Sequence, residues 1–469
     1  MTYFFETYGC EMNIAESAAM EQLLISRGWT QADSPQTTDI IILNTCSIRK
    51  SAENRIEGRL GWIRGLKDVR AKKNGAKTKL LEEAVEYVKD GPKPLTVIMT
   101  GCMAEKMLNE VQKIFPFVDY VIGTFAKHHF GEIIEEIEEN KSAKNSALAV
   151  SDNSEPYHFA ALSAEKGAFS TFVPIMHGCN NFCTYCIVPY VRGREISRPV
   201  DQILNELDIL TKLKVREITL IGQNVNSYNG TLNQNDSTKI NFAQLLKLIC
   251  DHLKKTESTI KWIRFMSSHP KDFTDDIIDV IASEPLICHH IHLPVQNGST
   301  KVLAAMNRKY TREQYLELVQ KIKAKIPDVS LTTDIMMGFP GETQEDVEQT
   351  LDLMRTVKFE SAMMYYYNPR EGTPAAKMEQ LPEETRKERL QRVIDLQLEM
   401  TTQCMSARVG TTVTVLAESV SRDSSLELLG QTEQHEKVAF TADKSIIGSF
   451  VKVKITDLNG NTFKGALVN

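Results

Sequence analysis

The chain has 469 residues, a formal net charge of −6, 42% hydrophobic and 25% charged side chains. These values exclude wholesale disorder and fibrous architectures, and roughly 150 residues per domain gives about three domains. No run approaches the ~20 apolar residues that span a bilayer. Met1–Asn13 has neither a basic region nor an apolar stretch with a cleavage site, so the expectation is a cytoplasmic protein with no membrane contact. With a mildly acidic chain, any nucleic-acid contact must come from a local basic patch.

Residues 1–140 alternate apolar runs with helical patterns, as in a doubly wound α/β domain. Tyr3-Phe4-Phe5, Ile40-Ile41-Ile42-Leu43 and Val97-Ile98-Met99 read as buried parallel strands. Each precedes a cysteine: Cys10, Cys46 and Cys102. If the strands are parallel, all three cysteines lie at carboxyl ends, where open α/β sheets place their sites. Two readings stay open there: a shared metal cluster, or three unrelated buried thiols. Asn13–Arg27 reads as an amphipathic helix, Val118–Ile122 as a strand and Lys127–Glu139 as a helix. Arg49–Lys79 resembles an insertion, with eleven basic residues against three acidic ones. It is either a solvated helix face or a phosphate-binding surface, Lys72, Lys73, Lys77 and Lys79 being candidates. Residues 141–167, rich in Ser, Ala, Asn and charge, read as a linker.

From 168 to 400 the pattern is βα repeated. Candidate strands are Phe172–Met176, Glu217–Ile221, Ile260–Met266, His289–Leu293, Ser330–Ile335 and Ser361–Tyr366. Val200–Leu213 is an amphipathic helix, and Thr343–Val357 opens on a Thr-x-x-Asp cap. Six βα units predict a (β/α)6 barrel, whole or partial, with its sites at the carboxyl ends of the strands. Residues 401–469 change to β-branched runs and turns, Leu458-Asn459-Gly460-Asn461 being a hairpin signal. They form a small all-β, OB-like domain. Seven basic and seven acidic side chains leave single-stranded nucleic-acid binding and a structural cap both open.

Nine cysteines without an export signal argue against a disulfide scaffold. Cys250, Cys288 and Cys404 read as structural thiols. Cys179, Cys183 and Cys186 form C-x3-C-x2-C directly after the first barrel strand. Such spacing suits iron–sulfur ligation, leaving one iron open; a Cys-rich loop or a Cys3His zinc with His177 is the alternative.

The loop, with an aromatic before its last cysteine, resembles the radical S-adenosylmethionine (SAM) superfamily. The whole chain is similar to its methylthiotransferases, on the strength of Tyr8-Gly9-Cys10-Glu11-Met12-Asn13, Asn44-Thr45-Cys46, Thr100-Gly101-Cys102-Met103-Ala104 and the loop with Ile187-Val188-Pro189-Tyr190-Val191-Arg192-Gly193-Arg194-Glu195. Ile221-Gly222-Gln223-Asn224-Val225-Asn226-Ser227-Tyr228 resembles the MiaB-type branch, which acts on isopentenylated adenosine beside the tRNA anticodon. Two other branches modify threonylcarbamoyladenosine in tRNA or an aspartate of a small-subunit ribosomal protein. The resemblance implies a 1–140 domain with an auxiliary cluster, a 168–400 radical SAM core and a 401–469 TRAM domain. It implies two [4Fe-4S] clusters, on Cys10, Cys46 and Cys102 and on Cys179, Cys183 and Cys186, and two SAM molecules per turnover. One SAM methylates a sulfur on the auxiliary cluster; the other yields the radical that removes hydrogen from C2 of the adenine. Tyr185, Ser268, Gln296, Arg308 and Asp334 are the implied SAM contacts, each otherwise a polar residue serving local hydrogen bonds. Gly338 and Gly341 resemble a glycine-rich SAM segment or a plain turn. Arg192, Arg194 and Arg198 are candidate phosphate contacts, and the implied partners are tRNA, an electron donor and a sulfur donor.

Overall fold

Continuous apolar runs need cover on both faces, and the first domain supplies it. The computed structural model describes residues 1–47, 50–73, 81–139, 146–148, 157–422 and 424–468. Six strands, β1 (Thr2–Thr7), β2 (Thr30–Gln31), β3 (Ile40–Thr45), β4 (Thr96–Gly101), β5 (Tyr120–Ile122) and β6 (Ser146–Leu148), pair in the order β2-β1-β3-β4-β5-β6. Every pairing is parallel. The intervening helices are α1 (Glu11–Ser26), α2 (Lys50–Arg70), α3 (Glu82–Tyr87), α4 (Cys102–Met107), α5 (Val111–Ile114) and α6 (Phe130–Glu138). Ile41, Leu43, Val97 and Met99 pack under α2, while Ile40, Ile42 and Ile98 pack with Leu24 of α1 and Phe130 and Ile134 of α6. The expected doubly wound domain is present.

Two stretches differ from the sequence reading. The described part of the Arg49–Lys79 stretch is no insertion: α2 buries Ile56, Leu60, Ile63, Leu66 and Val69 against the sheet. Each such side chain contributes about 1.5–3 kcal/mol, which outweighs the ~1 kcal/mol helix penalty of each of Gly58, Gly61 and Gly65. The dense basic composition masked that apolar stripe. The 141–167 stretch is more than a linker, because Ser146–Leu148 adds a strand to the sheet edge.

Two compact units divide the chain: residues 1–180 with 187–196, and residues 181–186 with 197–469. The strand Ser170–Pro174 belongs to the first. In the second, Glu217–Ile221 pairs in parallel with Trp262–Phe265, and His290–His292, Ser330–Met337 and Ser361–Tyr366 follow as a parallel set. A parallel bridge from Ile263 to Ile287 links the two groups. These are the predicted barrel strands, within a few residues. Thr343 accepts from the Asp346 backbone and completes the predicted capping box.

A helix, Glu383–Ser406, leads into five strands that close into a barrel: Thr412–Val420, Glu427–Thr432, Lys437–Thr441, Phe450–Asn459 and Thr462–Leu467. The last hairpin turns at Gly460, whose φ of +58° is the left-handed value a two-residue turn requires. One Arg ties this barrel to the parallel strands. Arg264 is 3% exposed; its Nε donates to Glu217 (2.8 Å), Nη1 to the Glu433 carbonyl (2.6 Å) and Nη2 to the Thr432 carbonyl (2.8 Å). Trp262 meets Phe450 edge-on, and His290 stacks on His435. No helix among the described residues is long and apolar enough to cross a membrane.

Glu418, at this junction, is pushed from its ordinary 4.5 to about 7 by burial and by the neighbouring Glu217 charge, with Arg264 opposing. The folded chain therefore holds a proton that the unfolded chain has lost, and stability falls as pH rises from about 5 through 7. Glu418→Gln is expected to flatten that part of the Tm-versus-pH curve; an unchanged slope would rule out this carboxyl as its source.

Candidate functional site

Parallel pairing puts Cys10, Cys46 and Cys102 at the carboxyl ends of β1, β3 and β4, three adjacent strands. Two glycines let these ends approach. Gly9 has φ +127°, and a Cβ there would sit 2.7 Å from Cys46 Cβ and 3.1 Å from its Sγ. Gly101 has φ +94°, and a Cβ there would strike the Thr45 carbonyl. Only glycine fits either place. Cys46 is 3% and Cys102 1% exposed, and burial raises the Cys10 thiol while Arg192 opposes the rise.

Asn13 and Arg192 fix the loops around them. Asn13 Nδ2 donates to the Tyr8 carbonyl (2.8 Å) and the Thr45 carbonyl (3.0 Å), binding the approaches to Cys10 and Cys46. Arg192 is 1% exposed. Its Nε donates to Cys102 Sγ (3.3 Å), Nη2 to Asn13 Oδ1 (2.7 Å) and Nη1 to Glu16 Oε1 (2.7 Å). Lys127 is the second cation on Glu16. Burial alone would raise the Glu16 carboxyl, but Arg192 and Lys127 hold it down to about 2. Removing one partner of such a buried pair costs about 3–5 kcal/mol, because the other charge is left uncompensated.

In the second set, Gly178 has φ +78°, and any Cβ there would run into the Arg194 carbonyl. The Cys179 N–H donates to the Gly193 carbonyl at 3.1 Å. Further along the loop, the Thr184 N–H donates to the Met306 carbonyl (3.1 Å) and Asn307 Nδ2 to the Phe182 carbonyl (2.9 Å). Cys183 is 8% exposed, and Arg308 Nη1 lies 3.6 Å from its Sγ.

No disulfide joins any of the nine cysteines. Among the described residues, no three His, Cys, Asp or Glu side chains close around a single ion. One zinc draws thiolates to about 2.3 Å from a common point, whereas a four-iron cluster offers each thiolate its own iron. His177 stacks on Tyr157 (3.8 Å between centroids) and turns Nδ1 toward Arg192. Soft donors on glycine-spaced loops with a cationic neighbour suit a cluster at each set. Burial pushes the Cys250 thiol up to about 12 and raises Cys288 and Cys404.

The implied SAM contacts divide. Tyr185 packs against Val302, Met306, Phe339 and Tyr367. Ser268 and Gln296 are buried beyond the ends of Trp262–Phe265 and His290–His292, and Ser268 Oγ and Gln296 Oε1 have no hydrogen-bond partner. Such orphaned atoms cost about 1–3 kcal/mol each and are what a polar ligand would satisfy. Arg308 differs: its guanidinium donates to the Tyr310 hydroxyl (3.0 Å) and the Pro294 carbonyl (2.9 Å) besides facing Cys183. These bonds tie it to the cysteine loop and leave N–H donors of the fork uncommitted. Asp334 lies inside Ser330–Met337 rather than at its end, with Oδ1 3.5 Å from His292 Nε2. Gly338 and Gly341 have φ of +71° and +78°, and the Gly338 N–H donates to buried Glu342 (2.8 Å), as in a turn.

The phosphate candidates also divide. Arg192 and Arg198 are each 1% exposed and paired, with Glu16 and Glu206, so neither reaches a phosphate. Arg194 is exposed. Within α2, Arg59 binds Glu6 and Lys67 binds Asp119, and Arg70 is buried on backbone carbonyls, leaving Arg55 and Arg64 exposed. Lys72 and Lys73 are exposed at its end; Lys77 and Lys79 lie outside the described residues. Sequence reasoning missed Asn226, 7% exposed with neither amide atom paired, and the Glu16–Arg192–Lys127 cluster. A carboxylate among the buried positions of α1, beside Ala15 and Met20, is a local sign of the latter.

Comparison with known proteins agrees with this architecture. Residues 173–354 match the Radical SAM superfamily, residues 2–123 Uncharacterized protein family UPF0004, and residues 406–468 the TRAM domain. A tRNA-2-methylthio-N(6)-dimethylallyladenosine synthase of Treponema pallidum (strain Nichols) is 50% identical over 100% of this chain and 99% of its own. The synthase of that name from Treponema denticola is 48% identical over 100% of both chains, and one from Clostridium botulinum (strain Langeland) 41% identical over 99% and 96%. The solved radical S-adenosylmethionine methyltransferase TsrM from Kitasatospora setae shares the fold, with a TM-score of 0.54 at 13% identity over 80% of this chain and 75% of that one. The chain therefore belongs to the radical SAM superfamily and, within it, to the family of the tRNA-2-methylthio-N(6)-dimethylallyladenosine synthases.

Proposed function

We propose that the chain converts N6-isopentenyladenosine beside the anticodon of tRNA to its 2-methylthio derivative. The observation that carries this reading is the trio Cys10, Cys46 and Cys102 on adjacent strand ends. A chain that only cleaved SAM would need no second thiolate set. Superfamily membership implies one [4Fe-4S] cluster and SAM. Cys179, Cys183 and Cys186 would hold that cluster, and the trio a second. When bound, the first supplies an electron and an open coordination position for SAM, and the second the sulfur to be inserted, with two SAM molecules consumed per turnover.

The chain's own residues do the rest. Ser268, Gln296 and Asn226 offer SAM buried polar atoms without a protein partner, and Arg308, beside Cys183, is a further proposed SAM contact. Asp334 and Tyr185 complete the proposed cofactor contacts. The reacting C2 of a stacked adenine is inaccessible, so the base must be splayed out of the anticodon loop. The division of labour is residues 1–140 for the auxiliary cluster, 168–400 for radical chemistry and 401–469 for RNA. An electron donor and a sulfur donor are the further partners, in the cytoplasm.

Nucleosides from a strain lacking the protein are expected to lose the methylthio group and keep the isopentenyl group; an unchanged profile overturns the substrate assignment. Replacing Cys10, Cys46 and Cys102 together with alanine should take reconstituted protein from about eight irons per chain to about four. Methylthio product should be abolished while reductive SAM cleavage persists. Full product from that variant would reject the second cluster. Neutralising Lys72 and Lys73 should weaken tRNA binding and reduce the slope of log Kd against log salt by about 1.5; an unaltered slope would remove them from the RNA surface.

A further inference from the structure

We propose that Arg192 is the positioning residue of the first cysteine set: its guanidinium holds Cys102 in place and, balanced against Glu16, sets the reduction potential of the cluster bound there. The inference rests on the reading that Cys10, Cys46 and Cys102 hold a cluster.

The geometry uses every face of the guanidinium fork. One nitrogen points at Cys102 Sγ (3.3 Å), and the other two are locked by Glu16 and Asn13 at 2.7 Å each. A lysine has the charge without this fixed triangle. Asn13 passes the constraint on, since its amide binds the Tyr8 and Thr45 carbonyls beside Cys10 and Cys46. One side chain thus reaches all three cysteine loops, directly or through a single intermediary. The backbone continues the link: Ile187 and Val191 pack on Cys102, and the carbonyl of Gly193, the next residue after Arg192, accepts from the Cys179 N–H. The same short segment therefore touches both cysteine sets.

A full positive charge in a dry site is weakly screened. It favours the more negative, reduced state of a neighbouring cluster, and so raises the potential. Glu16 offsets that effect from the far side of the guanidinium, with Lys127 as the other cation on the same carboxylate.

The experiment uses the full chain with Cys179, Cys183 and Cys186 replaced by alanine, so that iron reports on the first set alone. Iron content and the midpoint potential, followed by electron paramagnetic resonance, are measured for this parent and for Arg192→Gln, Glu16→Gln and the double variant. Arg192→Gln is expected to shift the midpoint negative, Glu16→Gln to shift it positive, and the double variant to fall between them. Shifts of the same sign, or none, overturn the inference, because a purely structural role gives no opposed pair. Should Arg192→Gln lose its iron, Glu16→Gln decides alone, since it leaves the guanidinium on Cys102. A parent that binds no iron would instead sink the reading of the first set as a cluster site.

Discussion

Parallel register is the constraint from which the first cysteine set follows. In an antiparallel sheet neighbouring strands end on opposite edges, and cysteines after three consecutive apolar runs would be dispersed. Here β1, β3 and β4 run the same way and lie side by side, so three positions distant in sequence become neighbours. The glycines before Cys10 and Cys102 then set how closely those ends approach. The sheet persists because its runs are buried on both faces, by α2 on one and by α1 and α6 on the other.

That edge has a charge problem as well as a steric one. Thiolates gathered in a dry place repel one another and are poorly solvated. Arg192 supplies the compensating charge, and its own burial is stabilised by Glu16. In the second compact unit, Arg308 stands beside Cys183 in the same relation. Each cysteine set thus has one buried guanidinium at a sulfur, fixed by hydrogen bonds that leave it little freedom.

Much of this was legible in the sequence. Strand periodicity located the barrel strands, and the Thr343 cap and the Gly460 turn formed as their residues dictated. The placement of Cys10, Cys46 and Cys102 followed from apolar runs alone. What failed depended on burial and on partners that no local pattern announces. Arg192 and Arg198 read as surface cations because nothing local announces Glu16, 176 residues away, or the burial that Arg198 shares with Glu206. The stripe of α2 was hidden by its lysines and arginines, and Ser146–Leu148 was too short to stand out from a polar stretch. Arg308 reads as a ligand-binding residue because its chemistry suits carboxylates; the fold adds its bonds to Tyr310 and Pro294.

The boundary between compact units does not respect the order of the chain. Residues 187–196 belong with the N-terminal sheet although they follow the loop that opens the barrel, so the polypeptide passes from one unit to the other three times. A fragment cut near residue 168 would carry Arg192 away from Glu16 and strand a carboxylate in the piece left behind.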